Sequence, residues 1–84
     1  MWHVYMILCE DDSIYTGVTD NIERRLKEHR TSQGSKYTRE HGFEKLLYTE
    51  KYKTRSEARD REEQIKGWRR EKKVNLAKHG HPDG

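Results

Sequence analysis

The apolar run Trp2-His3-Val4-Tyr5-Met6-Ile7-Leu8-Cys9 constrains this chain more than any other segment, because it is β-branched, aromatic or aliphatic almost throughout. Four polar residues, Glu10-Asp11-Asp12-Ser13, break it before Ile14-Tyr15-Thr16-Gly17-Val18 resumes the pattern. Two such runs across a polar turn read as a β-hairpin. Side chains alternate along a strand, so a loop of three or five residues sends Tyr5 and Tyr15 to one face and a loop of two or four sends them to opposite faces. The polar stretch admits either. Gly17 inside the second strand marks a bulge or a place where another group approaches the backbone.

From Asn21 the period changes. Ile22, Leu26 and His29 fall at i, i+4 and i+7, which predicts a helix of about ten residues with Thr19 or Asp20 as its cap. Residues 31–42 have no apolar periodicity and contain two Gly, so they read as a loop with a short turn at Lys36-Tyr37-Thr38-Arg39. Residues 43–52, FEKLLYTEKY, return to strand composition. Thr54 and Glu57 then fit a capping box, and Ala58, Ile65 and Trp68 mark the inner stripe of a long helix reaching about Lys72. Val74-Asn75-Leu76-Ala77 suggests one more short helix before Gly80 and Pro82 end the order. The expectation is one α+β domain over 1–84, ordered from about 2 to 78, with a small three-stranded antiparallel sheet flanked by helices in the order ββαβαα.

The core of such a domain must be thin, since Leu, Ile, Val and Phe number only 13 of 84 residues. That fraction borders on disorder, but disorder also requires a large net charge, and here it is +3. Five Tyr and two Trp supply burial that the aliphatics do not. The single Cys9 excludes an intrachain disulfide framework and a cysteine-cluster zinc site. With neither a membrane-length apolar run nor a signal-peptide pattern, a cytoplasmic protein is expected. The basic excess lies in residues 45–84, at +5 against −2 for residues 1–44, which suits a polyanionic partner.

Two helices carry charge on the side that turns toward the sheet. Arg25 lies at i+3 from Ile22, with His29 at i+7, and Glu62 lies between Ala58 and Ile65. Buried charge is expensive unless it is paired or used. A structural Arg25–Glu62 ion pair, side chains that snorkel past the core edge, and functional groups are all compatible with this spacing.

Taken together, Val4-Tyr5, Tyr15-Thr16-Gly17 with the tyrosines ten positions apart, Asn21-Ile22-Glu23-Arg24-Arg25, Lys36-Tyr37-Thr38-Arg39 and Arg61-Glu62-Glu63-Gln64-Ile65-Lys66-Gly67-Trp68 resemble the GIY-YIG nuclease domain, especially its small single-domain bacterial members. The resemblance runs from about residue 3 to 78. It implies a metal-dependent DNA endonuclease that hydrolyses phosphodiesters with weak sequence preference, in DNA repair or recombination, using one Mg²⁺ or Mn²⁺. By the same resemblance, Glu62 is the metal ligand, with Glu63 a weaker substitute. One of Tyr5 and Tyr15 orients or deprotonates the attacking water, without an indication of which. Arg25 favours the phenolate or stabilises the phosphate, and His29 positions water or shuttles a proton. Asn75 falls near a supporting Asn of some relatives.

One departure stands out: several relatives carry a lysine immediately after the second motif's glycine, where this chain has Val18. Lys36 or Arg39 is the expected replacement. Lys66, Arg69, Arg70, Lys72 and Lys73 read as a grip on the phosphate backbone, whereas Trp68 reads as core. Selectivity is expected from DNA shape (branched or damaged DNA), from a targeting protein or from a homodimer. The alternative is a non-catalytic nucleic-acid-binding module of the same fold, which Val18 favours.

Overall fold

A computed structural model describes residues 1–31 and 35–80. Strand β1 (Trp2–Cys9) and strand β2 (Ile14–Thr19) form the hairpin, followed by α1 (Ile22–Arg30), α2 (Lys36–His41), β3 (Phe43–Tyr52), α3 (Arg55–Lys66) and α4 (Arg70–His79). All pairings are antiparallel and the strand order is β2-β1-β3. The α+β class and three-stranded sheet are as the sequence leads one to expect. The unbroken apolar run of β1 now has its reason: it is the central strand, and Val4 to Ile7 are buried toward both faces. Val4 and Met6 meet Ala58, Ile65 and Leu76 of α3 and α4, while Tyr5, Ile7 and Cys9 meet Ile22, Leu26, Tyr37 and Phe43 on the other side.

The hairpin loop has three residues. Cys9 N–H donates to the Ser13 carbonyl (2.8 Å), Asp12 N–H donates to the Cys9 carbonyl (3.0 Å), and Asp12 takes the left-handed backbone conformation with φ 73°. A residue in that conformation completes the common three-residue hairpin, and Asp tolerates it better than most. Tyr5 therefore pairs with Gly17 and Ile7 with Tyr15, which puts both tyrosines on one face. The loop is tied down at both sides, Asp11 to His41 and Asp12 to Arg70.

Three local expectations change. Asn21, rather than Thr19 or Asp20, caps α1, its side chain accepting from Arg24 N–H (3.0 Å). The stretch expected to be a loop with a short turn contains a helix, α2, so the order is ββααβαα; Ser35 caps it and Gly42, at φ 79°, ends it. That helix has six residues and one buried side chain, Thr38, too little for a periodic signal. The long helix stops at Lys66 with Gly67 as its C-cap, and α4 begins at Arg70 rather than near Val74. Thr54 caps α3 as expected, accepting from Glu57 N–H (3.2 Å). Gly80 ends α4 in the left-handed conformation, and Pro82 lies outside the described residues.

Candidate active site

Tyr5 stands on the central strand with its ring over Gly17. A Cβ built at Gly17 would lie 2.6 Å from the Tyr5 hydroxyl oxygen and 2.7 Å from Cζ, so the glycine is there to let the phenol lie flat across the neighbouring strand. The hydroxyl is held from two directions. Arg25 Nε donates to it (3.2 Å), and it lies 3.1 Å from His29 Nε2. Thr38 Oγ1 donates to the Ser35 carbonyl (3.2 Å) and so accepts from His29 Nδ1–H (2.6 Å), which leaves Nε2 of the neutral imidazole to accept the proton of the Tyr5 phenol. One directed chain of hydrogen bonds thus links α1, β1 and α2.

The chain sets protonation. Burial pushes the Tyr5 phenol up to about 12 against a counter-pull from Arg25. Burial, helped by the Arg25 charge, pushes His29 down to about 4, so at neutral pH its imidazole is uncharged, as the tautomer requires. His29 is 3% exposed and both its nitrogens are occupied. It has no free nitrogen for a water at the surface. Thr38 completes the chain and was legible only as a member of a motif block.

Tyr15 shares that aromatic cluster but is not sealed in it. Its ring centroid lies 6.2 Å from Tyr5, 5.6 Å from His29 and 5.5 Å from Tyr37. Because β2 is an edge strand, Tyr15 also borders a 280 Å³ pocket with Trp2, Val18, Arg55, Arg59, Glu62 and Lys66. The two candidates expected on different elements, Tyr15 and Glu62, therefore line the same cavity. Glu62 is half-buried and its Oε2 lies 3.4 Å from Lys66 Nζ, one turn on. Arg25 pairs with Glu28 (3.3 Å), so there is no Arg25–Glu62 bridge. Glu63 instead borders a neighbouring cavity with Arg55, Ser56, Arg59 and Asp60.

The expected cations are distributed differently. Lys36 pairs with Glu40 (3.9 Å) on α2, and neither it nor Arg39 borders the pocket. Arg70 holds Asp12 (3.1 Å), Lys72 lies over the Trp68 ring (4.5 Å), and Arg69 and Lys72 border a separate groove with Glu71 and Asn75. The basic run is thus divided, because the chain turns at Gly67 between α3 and α4 and successive residues of a helix point in different directions. Of those five cations only Lys66, the last residue of α3, borders the pocket. Arg55 and Arg59, which the motif blocks do not include, take up the rest of its positive lining. With Glu62 and Lys66 they fall at i, i+4, i+7 and i+11, a one-face helical stripe that the sequence does contain. Trp68 packs against the core, as expected, under Arg61 and Lys72.

Residues 1–75 match the GIY-YIG catalytic domain. The chain belongs to the GIY-YIG family. It is 46% identical over 78 residues to a UPF0213 protein of Haloquadratum walsbyi, covering 93% of this chain and 88% of that one. A UPF0213 protein of Clostridium perfringens is 45% identical over 76 residues, 90% of this chain and 82% of that one. Two solution NMR structures share the fold. The UPF0213 protein BH0048 of Bacillus halodurans superposes with a TM-score of 0.58 at 39% identity, covering 93% of this chain and 84% of that one. Protein EF2693 of E. faecalis gives 0.61 at 41% identity, over 90% and 81%.

For this GIY-YIG chain the family supports nuclease chemistry on a nucleic acid. Among the described residues no three His, Cys, Asp or Glu side chains gather as a metal cluster, and no helix is long and apolar enough to cross a membrane. What the pocket offers a metal is one hard oxygen donor, Glu62, beside space for water. That donor set fits Mg²⁺ or Mn²⁺, which need one or two carboxylates and complete their shells with water and phosphate oxygens.

Proposed function

We propose that this chain is a metal-dependent DNA endonuclease whose centre is the pocket between Tyr15 and Glu62. The supporting observation is the joint lining of one cavity by an edge-strand tyrosine, a half-buried carboxylate and three cations from the same helix face. Glu62 would hold a Mg²⁺ or Mn²⁺, which when bound supplies a Lewis acid for a phosphate oxygen. Tyr15 orients the attacking water. Tyr5 has no part in orienting it, because its hydroxyl is committed to Arg25 and His29, and a phenol near 12 resists ionisation. Arg25, His29 and Thr38 are positioning residues that fix Tyr5, against which Tyr15 rests. Water adds to phosphorus, one bridging P–O bond breaks, and the leaving sugar oxygen takes up a proton. Lys66, which lines the same pocket, supplies positive charge for the phosphate in this reading, a role the uncharged Val18 cannot fill.

The test is cleavage of plasmid, nicked, flap and branched DNA, substrates chosen for a setting in repair or recombination, with Mg²⁺ or Mn²⁺ and Glu62→Ala as comparison. Metal-dependent cleavage by the wild type, lost in the variant, is expected. Equal cleavage by both proteins overturns the assignment. Binding without cleavage by either converts the proposal into the non-catalytic module.

A further inference from the structure

We infer that the cavity beside the Glu62 pocket is a second phosphate subsite of the DNA strand being cut, with Arg55 and Arg59 as its ligands. The inference rests on the nuclease reading and adds where the strand runs. The neighbouring cavity, 460 Å³ in volume, is lined by Arg55, Ser56, Arg59, Asp60 and Glu63. Arg55 and Arg59 border both cavities, so the two are continuous along α3. Four residues of helix place these two side chains about 6 Å apart along the axis, on the side of Glu62 away from Lys66.

Their charges are uncommitted. Arg24, Arg25, Arg61 and Arg70 each hold a carboxylate, whereas among the described residues Arg55 and Arg59 make no ion pair. Arg55 is set in place by its stacking over the Trp2 ring, 5.5 Å from the centroid. A planar guanidinium held this way retains its donors for a phosphate oxygen. Asp60 and Glu63 close the same cavity and oppose a free anion, so a phosphate is held there only as part of a strand whose next phosphate lies in the adjoining pocket lined by Glu62 and Lys66. The strand therefore runs along α3 from Arg55 toward Lys66, rather than over the basic residues of α4.

The measurement uses Glu62→Gln as the parent, so that DNA is bound without being cut, and follows the affinity for a fluorescein-labelled flap DNA against NaCl concentration. Each phosphate contact releases counterions, so Arg55→Ala and Arg59→Ala, each added to the parent, should weaken binding several-fold and lower the slope of log K against log salt by about one. Arg24→Ala, which removes a charge already held by Asp20 (2.7 Å), should leave the slope unchanged. Inorganic phosphate should not compete at concentrations where an unlabelled oligonucleotide does. Thermal melts separate loss of fold from loss of contact, and Arg59→Lys should restore most of the slope. A slope unchanged in folded Arg55→Ala and Arg59→Ala overturns the subsite while leaving the nuclease reading to the cleavage assay. A parent that binds no DNA overturns both.

Discussion

The two faces of the sheet solve the same burial problem with different chemistry. Against α3 and α4, β1 buries Val4 and Met6 on Ala58, Ile65 and Leu76, an apolar contact with little directional demand. Against α1 and α2 it buries a polar chain, Arg25 to Tyr5 to His29 to Thr38, in which every group depends on the next. At the edge of the apolar face, Glu50 repeats the polar solution: it accepts from Arg61 (2.9 and 3.1 Å), Tyr48 (2.6 Å) and Tyr52 (2.7 Å), tying β3 to α3. Burial alone would raise that carboxyl, but the four bonds outweigh it and hold it below its ordinary range. The difference teaches that apolar packing brings α3 alongside the sheet, while the hydrogen-bonded groups fix particular side chains, the Tyr5 hydroxyl over Gly17 of β2 and the Glu50 carboxylate between β3 and α3.

The comparison is broken most severely at the edge where the two faces meet. On the proposed centre, Glu62→Ala should reduce cleavage by about 1,000-fold with little change in melting temperature, since this one half-buried carboxylate would carry the metal and contributes little packing. A drop below tenfold would remove Glu62 from the chemistry. Tyr15→Phe keeps the ring packing and removes only the hydroxyl, so cleavage should fall about 100-fold while the fold persists. Activity retained in that variant but lost in Tyr5→Phe would exchange the roles of the two tyrosines.

The polar face should also reveal itself through pH. His29 titrates near 4 in the folded chain, against 6.5 for an ordinary His, so between these values the unfolded chain binds the extra proton. Its contribution to stability is complete above about pH 6.5 and is lost as pH falls toward 4, by of order 2 kcal/mol. Urea midpoints from pH 7.5 to 4.5 should decline less steeply in His29→Gln than in the wild type; parallel declines would show that the imidazole is not the group responsible. Smallest in free energy is Gly17→Ala. The new methyl must displace the Tyr5 hydroxyl, for about 1–2 kcal/mol of stability, measured by thermal or urea unfolding. No change would mean that the phenol can move aside without disturbing its chain.

Much of this molecule was legible before folding was considered. The hairpin, β3 over residues 43–52, the Thr54 cap and the glycine stop at Gly80 follow from signals a few residues long. The ring of candidate residues came from ordered motif blocks rather than from spacing, which by itself also admitted an Arg25–Glu62 ion pair that is not formed. What misled was linear adjacency: five cations within eight residues suggested one basic surface, yet the break between α3 and α4 and the turn of α4 send them apart. The stripe Arg55, Arg59, Glu62, Lys66 is less conspicuous in sequence but lies on one face.

By itself the sequence determined the three strands, the Thr54 cap, the stop at Gly80 and the family, because those depend on local propensity and on residue identity at set positions, whereas helix α2, the Asn21 cap and the break between α3 and α4 did not show in it. Tertiary structure decided the rest. Asp12 in the left-handed conformation selects the three-residue loop and thereby one face for both tyrosines. Burial then separates their surroundings, sealing Tyr5 within a hydrogen-bonded chain and leaving Tyr15 on an edge strand beside Glu62, and the cost of desolvating a phenolate depends on what surrounds it in space.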